Sequence, residues 1–136
     1  MKPQDLRVGS VIELLPEEKI VEATTVDITT YNDLYNRDSP NAKLYKPVRI
    51  KAGPLEKLGF ERYKNHSFWE LHGMKSSIRL ITSEGHWCPV IVSSPELSFE
   101  DASEVYLSRI NYIHDLQNIY RVLYGKDMNV SKLISL

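Results

Sequence analysis

Apolar residues recur along this chain with two different periods, and the change of period divides it into a β part and a helical end. In "RVGSVIELL" and "KIVEATTVDITTY", Val, Ile and Thr dominate and "PEEK" (16–19) lies between them, which predicts an N-terminal β-hairpin. Alternation is clearest at Val26, Ile28 and Thr30 against Asp27 and Thr29, and Gly9 marks a bulge or tight bend near the start. Such a hairpin is compatible with part of a small SH3-like barrel. Residues 32–46, "NDLYNRDSPNAKLYK", hold no sustained period and read as a long loop, after which "PVRIK" (47–51) resumes a short strand.

"GPLEKLGF" (53–60) predicts a short mid-chain helix, with Pro54 in its first position, Leu55 and Leu58 on one side and Gly59 as its stop. Three strand-like runs follow, "NHSFWELHG", "SSIRLITSEG" and "HWCPVIVSS", with turns at Gly73 and Gly85, which predicts an antiparallel meander. In the last run both alternating sets are apolar, Trp87 and Ile91 against Cys88, Val90 and Val92, so that strand is expected to be covered on both sides. "EVYLSRI" (104–110) is a final strand leading into the one long helical pattern.

That pattern, "NYIHDLQNIYRVLYG" (111–125), has Asn111 as candidate N-cap, Asp115 in the first turn near the positive end of the helix dipole, and Gly125 as its stop. At about 100° per residue, Tyr112, Ile113, Leu116, Ile119, Tyr120, Leu123 and Tyr124 form one wide apolar arc suited to packing on a sheet. His114, Gln117, Asn118 and Arg121 line up beside it at i, i+3, i+4 and i+7, and form the candidate binding stripe. Two readings compete for the stripe. It borders a groove and serves a ligand, or it is the polar shoulder that any sheet-packed helix carries, with His114 and Gln117 satisfying nearby backbone groups. The tail after Gly125 has enough apolar residues to dock but too few to require it.

Together these elements predict a single α+β domain over residues 1–136, predominantly antiparallel, with the C-terminal helix packed on the sheet. Composition agrees: 42% hydrophobic and 26% charged residues place the chain among globular domains and away from disorder. A formal charge of -1 supplies no general field for a phosphate backbone, so any nucleic-acid surface has to be local. A local patch exists in "LYKPVRIK" and "FERYKNHSFW", where Tyr45, Arg49, Arg62, Tyr63, Lys64 and Trp69 interleave aromatic and basic side chains. That patch carries the alternative reading, a small nucleic-acid-binding β-domain.

Enzyme signatures are absent. Cys88 is the only cysteine and sits among Trp87, Pro89, Val90 and Ile91, which suits a packed thiol better than a nucleophile, so a Cys/His-based enzyme ranks last. His66, His72, His86 and Cys88 show no zinc-ligand spacing, Glu17/Glu18 and Glu100/Asp101 fall in turns, and no phosphate loop occurs, so no metal and no cofactor are expected. The start lacks the apolar core of a signal peptide and the apolar runs are far shorter than the roughly twenty residues of a membrane span, which predicts a cytoplasmic protein without a membrane partner. Eight tyrosines and two tryptophans favour protein contacts, to another chain or to a second copy through a sheet edge or the helix.

The segments "LRVGSVI", "PLEKLGFE" and "YIHDLQNIYRVLYGKDM" resemble a family of small uncharacterised proteins encoded in genomes and prophage-like elements of gut anaerobes. Its closing motif typically reads Tyr-Val-His-Gln-Leu-Gln-Asn-Leu-Tyr, then a few residues and Gly. Tyr112, His114, Leu116, Gln117, Asn118, Tyr120 and Gly125 match it, whereas Asp115 stands where the family usually has Gln, and the residues after Tyr120 differ. The resemblance implies an accessory protein of a phage or mobile element and brings no activity with it.

Overall fold

The computed structural model describes residues 6–15, 18–24, 28–29, 45–63, 68–73, 75–93 and 103–134. Their elements run β1 Val11–Leu14, β2 Lys19–Glu22, β3 Tyr45–Pro47, α1 Ala52–Lys57, β4 Glu61–Tyr63, β5 Phe68–Leu71, β6 Ser76–Ser83, β7 His86–Ser93, β8 Ser103–Tyr106 and α2 Ile113–Tyr124. The architecture is α+β, with antiparallel sheets of order β2-β1-β3 and β4-β5-β6-β7-β8. The chain forms two compact units, one from Met1–Arg49 with Tyr112–Leu136 and one from Ile50–Asn111.

In the first unit β1 is the central strand, and Val11 and Ile12 are fully buried on it. Leu6, Ile12 and Ala23 form a small core against which Leu14, Val21, Ile28 and Tyr45 pack. Ser10 N–H donates to the Arg7 carbonyl at 2.9 Å, closing a turn whose third residue, Gly9, has φ +92, a region costly for any side chain. Gly9 N–H then donates to Ala23 O at 2.8 Å while Ala23 N–H donates to Ser10 O at 2.7 Å, so two residues face one in a glycine bulge. Among the described residues the three-stranded ladder is open rather than closed into a barrel.

Two local expectations here are corrected. Of the alternation read at 26–30, the described Ile28 and Thr29 are helical rather than extended: β2 ends at Glu22, and Ile28 N–H donates to Thr24 O at 3.1 Å, an i→i−4 bond. Packing of Ile28 on the Leu6 cluster overrides its β-branched preference for extended backbone. The strand read at 47–51 instead spans Tyr45–Pro47, sharing only Pro47 with that range, because Tyr45, Lys46 and Pro47 pair with Leu14, Glu13 and Ile12. Val26, Thr30 and residues 32–44 of the predicted loop lie outside the described residues.

The second unit is built on the meander, to which Glu61–Tyr63 adds a strand that the sequence pattern does not announce. The β6–β7 hairpin turns at Glu84 and Gly85, both with positive φ (52 and 79), as a two-residue type I′ loop does. By register Trp69, Ile78, Leu80 and Pro89 share one face, and Glu70, Ser77, Val90 and Val92 the other; all eight are buried. β7 is therefore covered on both sides, although Trp87, Cys88 and Ile91 are only half-buried. Helix α1 starts at Ala52, which puts Pro54 in its third position, still inside the turn whose N–H groups have no helical acceptor. Gly59 follows its end with φ +94.

Pro89 lies inside β7, where a missing N–H has to be accommodated. Leu107 N–H donates to Pro89 O at 2.9 Å, so residue 89 turns its backbone toward β8, and the absent donor falls where β8 has just ended. Beyond it Ile110 N–H donates to Trp87 O at 2.9 Å, which leaves Ser108 and Arg109 opposite Cys88 alone, a second bulge.

Helix α2 begins one residue later than expected. Tyr112, not Asn111, is the N-cap, and its N–H donates to the Asp115 carboxylate at 3.3 Å. Gly125 ends the helix at φ 72 with its N–H on the Arg121 carbonyl at 2.9 Å. The tail beyond it buries Met128, Val130 and Leu133.

Candidate functional site

Of the four residues of the helical stripe, Gln117, Asn118 and Arg121 line one small cleft and His114 does not. His114 is 1% exposed, its ring stacked on Tyr112 at 5.6 Å and 6° and its Nε2 3.6 Å from the Asp115 carboxylate. It belongs to the buried side of α2 with Ile113 and Leu116 and offers nothing to a ligand.

Gln117 holds backbone. Its Oε1 accepts the Val11 N–H at 2.8 Å, and its Nε2 donates to the Gly9 carbonyl at 2.8 Å. The β1–β3 ladder stops at the Ile12–Pro47 pair, so the next outward-turned groups of β1 would have no strand beside them. The side-chain amide, with one donor and one acceptor in the geometry of a peptide unit, takes the place of that strand. Gln117 also lines the small cleft that Asn118 and Arg121 reach, together with Arg7, Ser10, Glu22 and Asp127. Two arginines there face two carboxylates, and Arg121 is already 3.8 Å from Asp127, so the cleft presents no net charge to attract an ion.

The residues of the aromatic and basic patch are divided between the two units. Tyr45 packs on the Leu6 cluster and the Arg49 guanidinium lies 5.7 Å from the centre of the Tyr112 ring, both in the first unit. Arg62, Tyr63 and Trp69 belong to the second unit, where Trp69 is 7% exposed and cannot stack on a base. Lys64 lies outside the described residues, as does His66. Among the described residues no three His, Cys, Asp or Glu side chains stand together as a metal site.

What the second unit does assemble is a polar row that sequence reasoning missed. Arg79 on β6 lies 3.4 Å from Glu70 on β5 and 3.4 Å from Glu104 on β8, with its guanidinium 4.3 Å over the Phe68 ring. His72 continues the row, 3.7 Å from Glu70 and 3.8 Å from Glu61, and its ring nitrogen contacts the Tyr63 hydroxyl. Partial burial, then Glu70 and Glu61, push the Tyr63 phenol above its usual pKa, with Arg79 acting against them. A phenol held protonated is a poor nucleophile, and the carboxylates beside it repel phosphate. At the other end the Tyr106 hydroxyl donates to Glu104 at 3.0 Å, and that bond, followed by the charge of Glu104, raises its pKa.

The row ends at a sheet edge. β8 is the last strand of β4-β5-β6-β7-β8, and since Leu107 faces β7 with its N–H, so do Val105 and Ser103. Glu104 and Tyr106 therefore turn their N–H and C=O groups outward, where no described residue pairs with them. Val105, Tyr106 and Leu107 are exposed beside them at 53%, 67% and 37%. The opposite edge, β4, is three residues long with Glu61 and Arg62 in it, a short and charged strand of the kind that discourages pairing. "EVYLS" already showed a strand with one charge and three apolar residues, but not that it would lie outermost.

The chain matches no family model, and no curated protein or solved structure shows significant similarity to it. No helix among the described residues is long and apolar enough to cross a membrane.

Proposed function

We propose that this chain is a non-enzymatic protein-binding domain that takes up an extended polypeptide strand along β8. One observation carries the reading: the outward backbone groups of Glu104 and Tyr106 stand open beside exposed Val105, Tyr106 and Leu107. An open edge with an apolar border is what strand addition requires, the main chain giving affinity and alternate side chains giving selectivity. Neither the Arg7–Arg121 cleft nor the polar row offers a comparable set of unpaired groups. The likeness of the closing motif to proteins of prophage-like elements supports an accessory role in a phage or mobile element, and the single cysteine suits a cytoplasmic one.

Tyr106→Pro tests the reading, because the N–H it removes points away from β7 and the internal ladder is kept. Random heptapeptides displayed on phage and selected on the natural chain should converge on β-forming sequences, and Tyr106→Pro should lose them while melting as before. Failure to enrich any peptide, or enrichment that survives Tyr106→Pro, overturns the proposal.

A further inference from the structure

We infer that the strand β8 accepts is the β8 of a second copy of this chain, laid antiparallel about a two-fold axis through Val105. The inference rests on the strand-addition reading and names its occupant. Two identical strands related by a two-fold perpendicular to the sheet meet with each residue i opposite a residue j of the same face, so one residue must lie opposite itself. Residues 103–107, β8 with the Leu107 that follows it, are held in register with β7, from the Ser93–Ser103 pair to the Leu107 N–H on Pro89 O. Val105 is its midpoint, and only centring there pairs the whole stretch with itself.

That register uses what the edge offers. Glu104 comes opposite Tyr106 of the other copy, and these are the two residues whose backbone groups face outward, so each pair exchanges two backbone hydrogen bonds and the two pairs together make four. Val105 meets Val105 in a pair without backbone hydrogen bonds, the closer kind, with Cα atoms about 4.5 Å apart. Serine 103 meets Leu107. On the other face the carboxylate of Glu104 lies beside the hydroxyl of the opposite Tyr106, the same donor and acceptor that meet at 3.0 Å within one chain. No like charges stand directly opposed, and Arg79 remains 3.4 Å from each Glu104. Slipping by two residues in either direction sets Glu104 against Glu104, or carries the partner strand onto the Ser108–Arg109 bulge.

The edge is small. Val105, Tyr106 and Leu107 expose on the order of a few hundred Å² a side, below the about 800 Å² a side of a permanent complex, so the dimer should be weak and concentration-dependent. In sedimentation or light scattering the mass should climb from 15.7 kDa toward twice that value as concentration rises through the hundreds of micromolar, and Tyr106→Pro should stay at 15.7 kDa.

Register is read by cysteine substitution in full-length Cys88→Ser protein under mild oxidation. Val105→Cys should form an intermolecular disulfide, since about 4.5 Å between Cα atoms lies within disulfide reach. Glu104→Cys and Tyr106→Cys should not, their like positions lying about 8 Å apart, beyond that reach. A mass constant to about 1 mM, or cross-linking at 104 or 106 in preference to 105, overturns the inference. If the mass is constant while selected peptides still bind in a Tyr106→Pro-sensitive way, the second copy is refuted and strand addition stands; if neither occurs, both fall.

Discussion

Replacing Gln117 by Ala should show what the polar side of α2 is for. The substitution removes both partners of the Gly9–Val11 backbone, the acceptor at 2.8 Å from Val11 N and the donor at 2.8 Å from Gly9 O. Val11 is 0% exposed, so water does not replace the lost acceptor there, and an orphaned buried donor costs about 1–3 kcal/mol. Gly9 is half-buried and its carbonyl is partly rehydrated, which adds about 0.5–1 kcal/mol. The expected total is about 2–3 kcal/mol, read as a shift in the urea midpoint. Arg121→Ala supplies the contrast: its partner Asp127 is 3.8 Å away and both side chains are more than half exposed, so its loss should stay below about 0.5 kcal/mol. Hydrogen exchange localises the effect, because Val11 N–H should exchange faster in Gln117→Ala. Gln117→Glu adds a sign. At neutral pH its second oxygen faces the Gly9 carbonyl without a proton to donate. Protonation in the fold is favoured, which raises the new carboxyl's pKa above about 4.3, so the deficit relative to the natural chain should shrink as pH falls through the folded value. A loss under about 0.5 kcal/mol for Gln117→Ala, or an unchanged Val11 exchange rate, would refute the strand-substitute account.

Arg79→Met should destabilise by about 2–4 kcal/mol, since it leaves Glu70 buried without its cation; Arg79→Met with Glu70→Leu should recover much of that in a double-mutant cycle, and additive losses would disprove the pairing. Glu84→Asn should stabilise by about 0.5 kcal/mol, because φ 52 at the first position of the I′ turn suits Asn better than Glu; a lower melting temperature would contradict the turn assignment. Burial, then Tyr120, raise the Tyr124 phenol above 10.0, so its contribution is complete below pH 10 and fades as pH rises through the folded value; Tyr124→Phe should flatten the alkaline loss of stability, and an unchanged profile would count against it.

The meander and α2 were legible because each rests on a local period with a glycine to close it: Gly85 at the hairpin turn and Gly125 at the helix end. The roles along α2 were less so. A helical wheel places Gln117 at the edge of the apolar arc, but its task depends on where β3 stops pairing with β1, which leaves free the Val11 N–H, 106 residues away in sequence. His114 sits beside Gln117 on that wheel and is buried all the same, because Tyr112 folds over it, which angle alone does not reveal. Ile28 shows the opposite failure, an alternating apolar position whose backbone is helical and whose side chain packs on the Leu6 cluster. Nor does a strand's composition state its rank in a sheet, so the exposed flank of β8 emerged only with the order of its neighbours.

Pro89 has a consequence that reaches past the strand it occupies. In the observed register its missing donor falls opposite Leu107, an exposed residue just past the end of β8. Sliding β8 by two residues would move that gap opposite Val105, in mid-ladder, at a cost of about 1–3 kcal/mol for an unpaired carbonyl. A one-residue slip would exchange the two faces altogether. The proline thus works as an end stop, fixing which residues of the outer strand look inward and which look out, and a side chain that no visitor touches selects the side chains that a visitor meets.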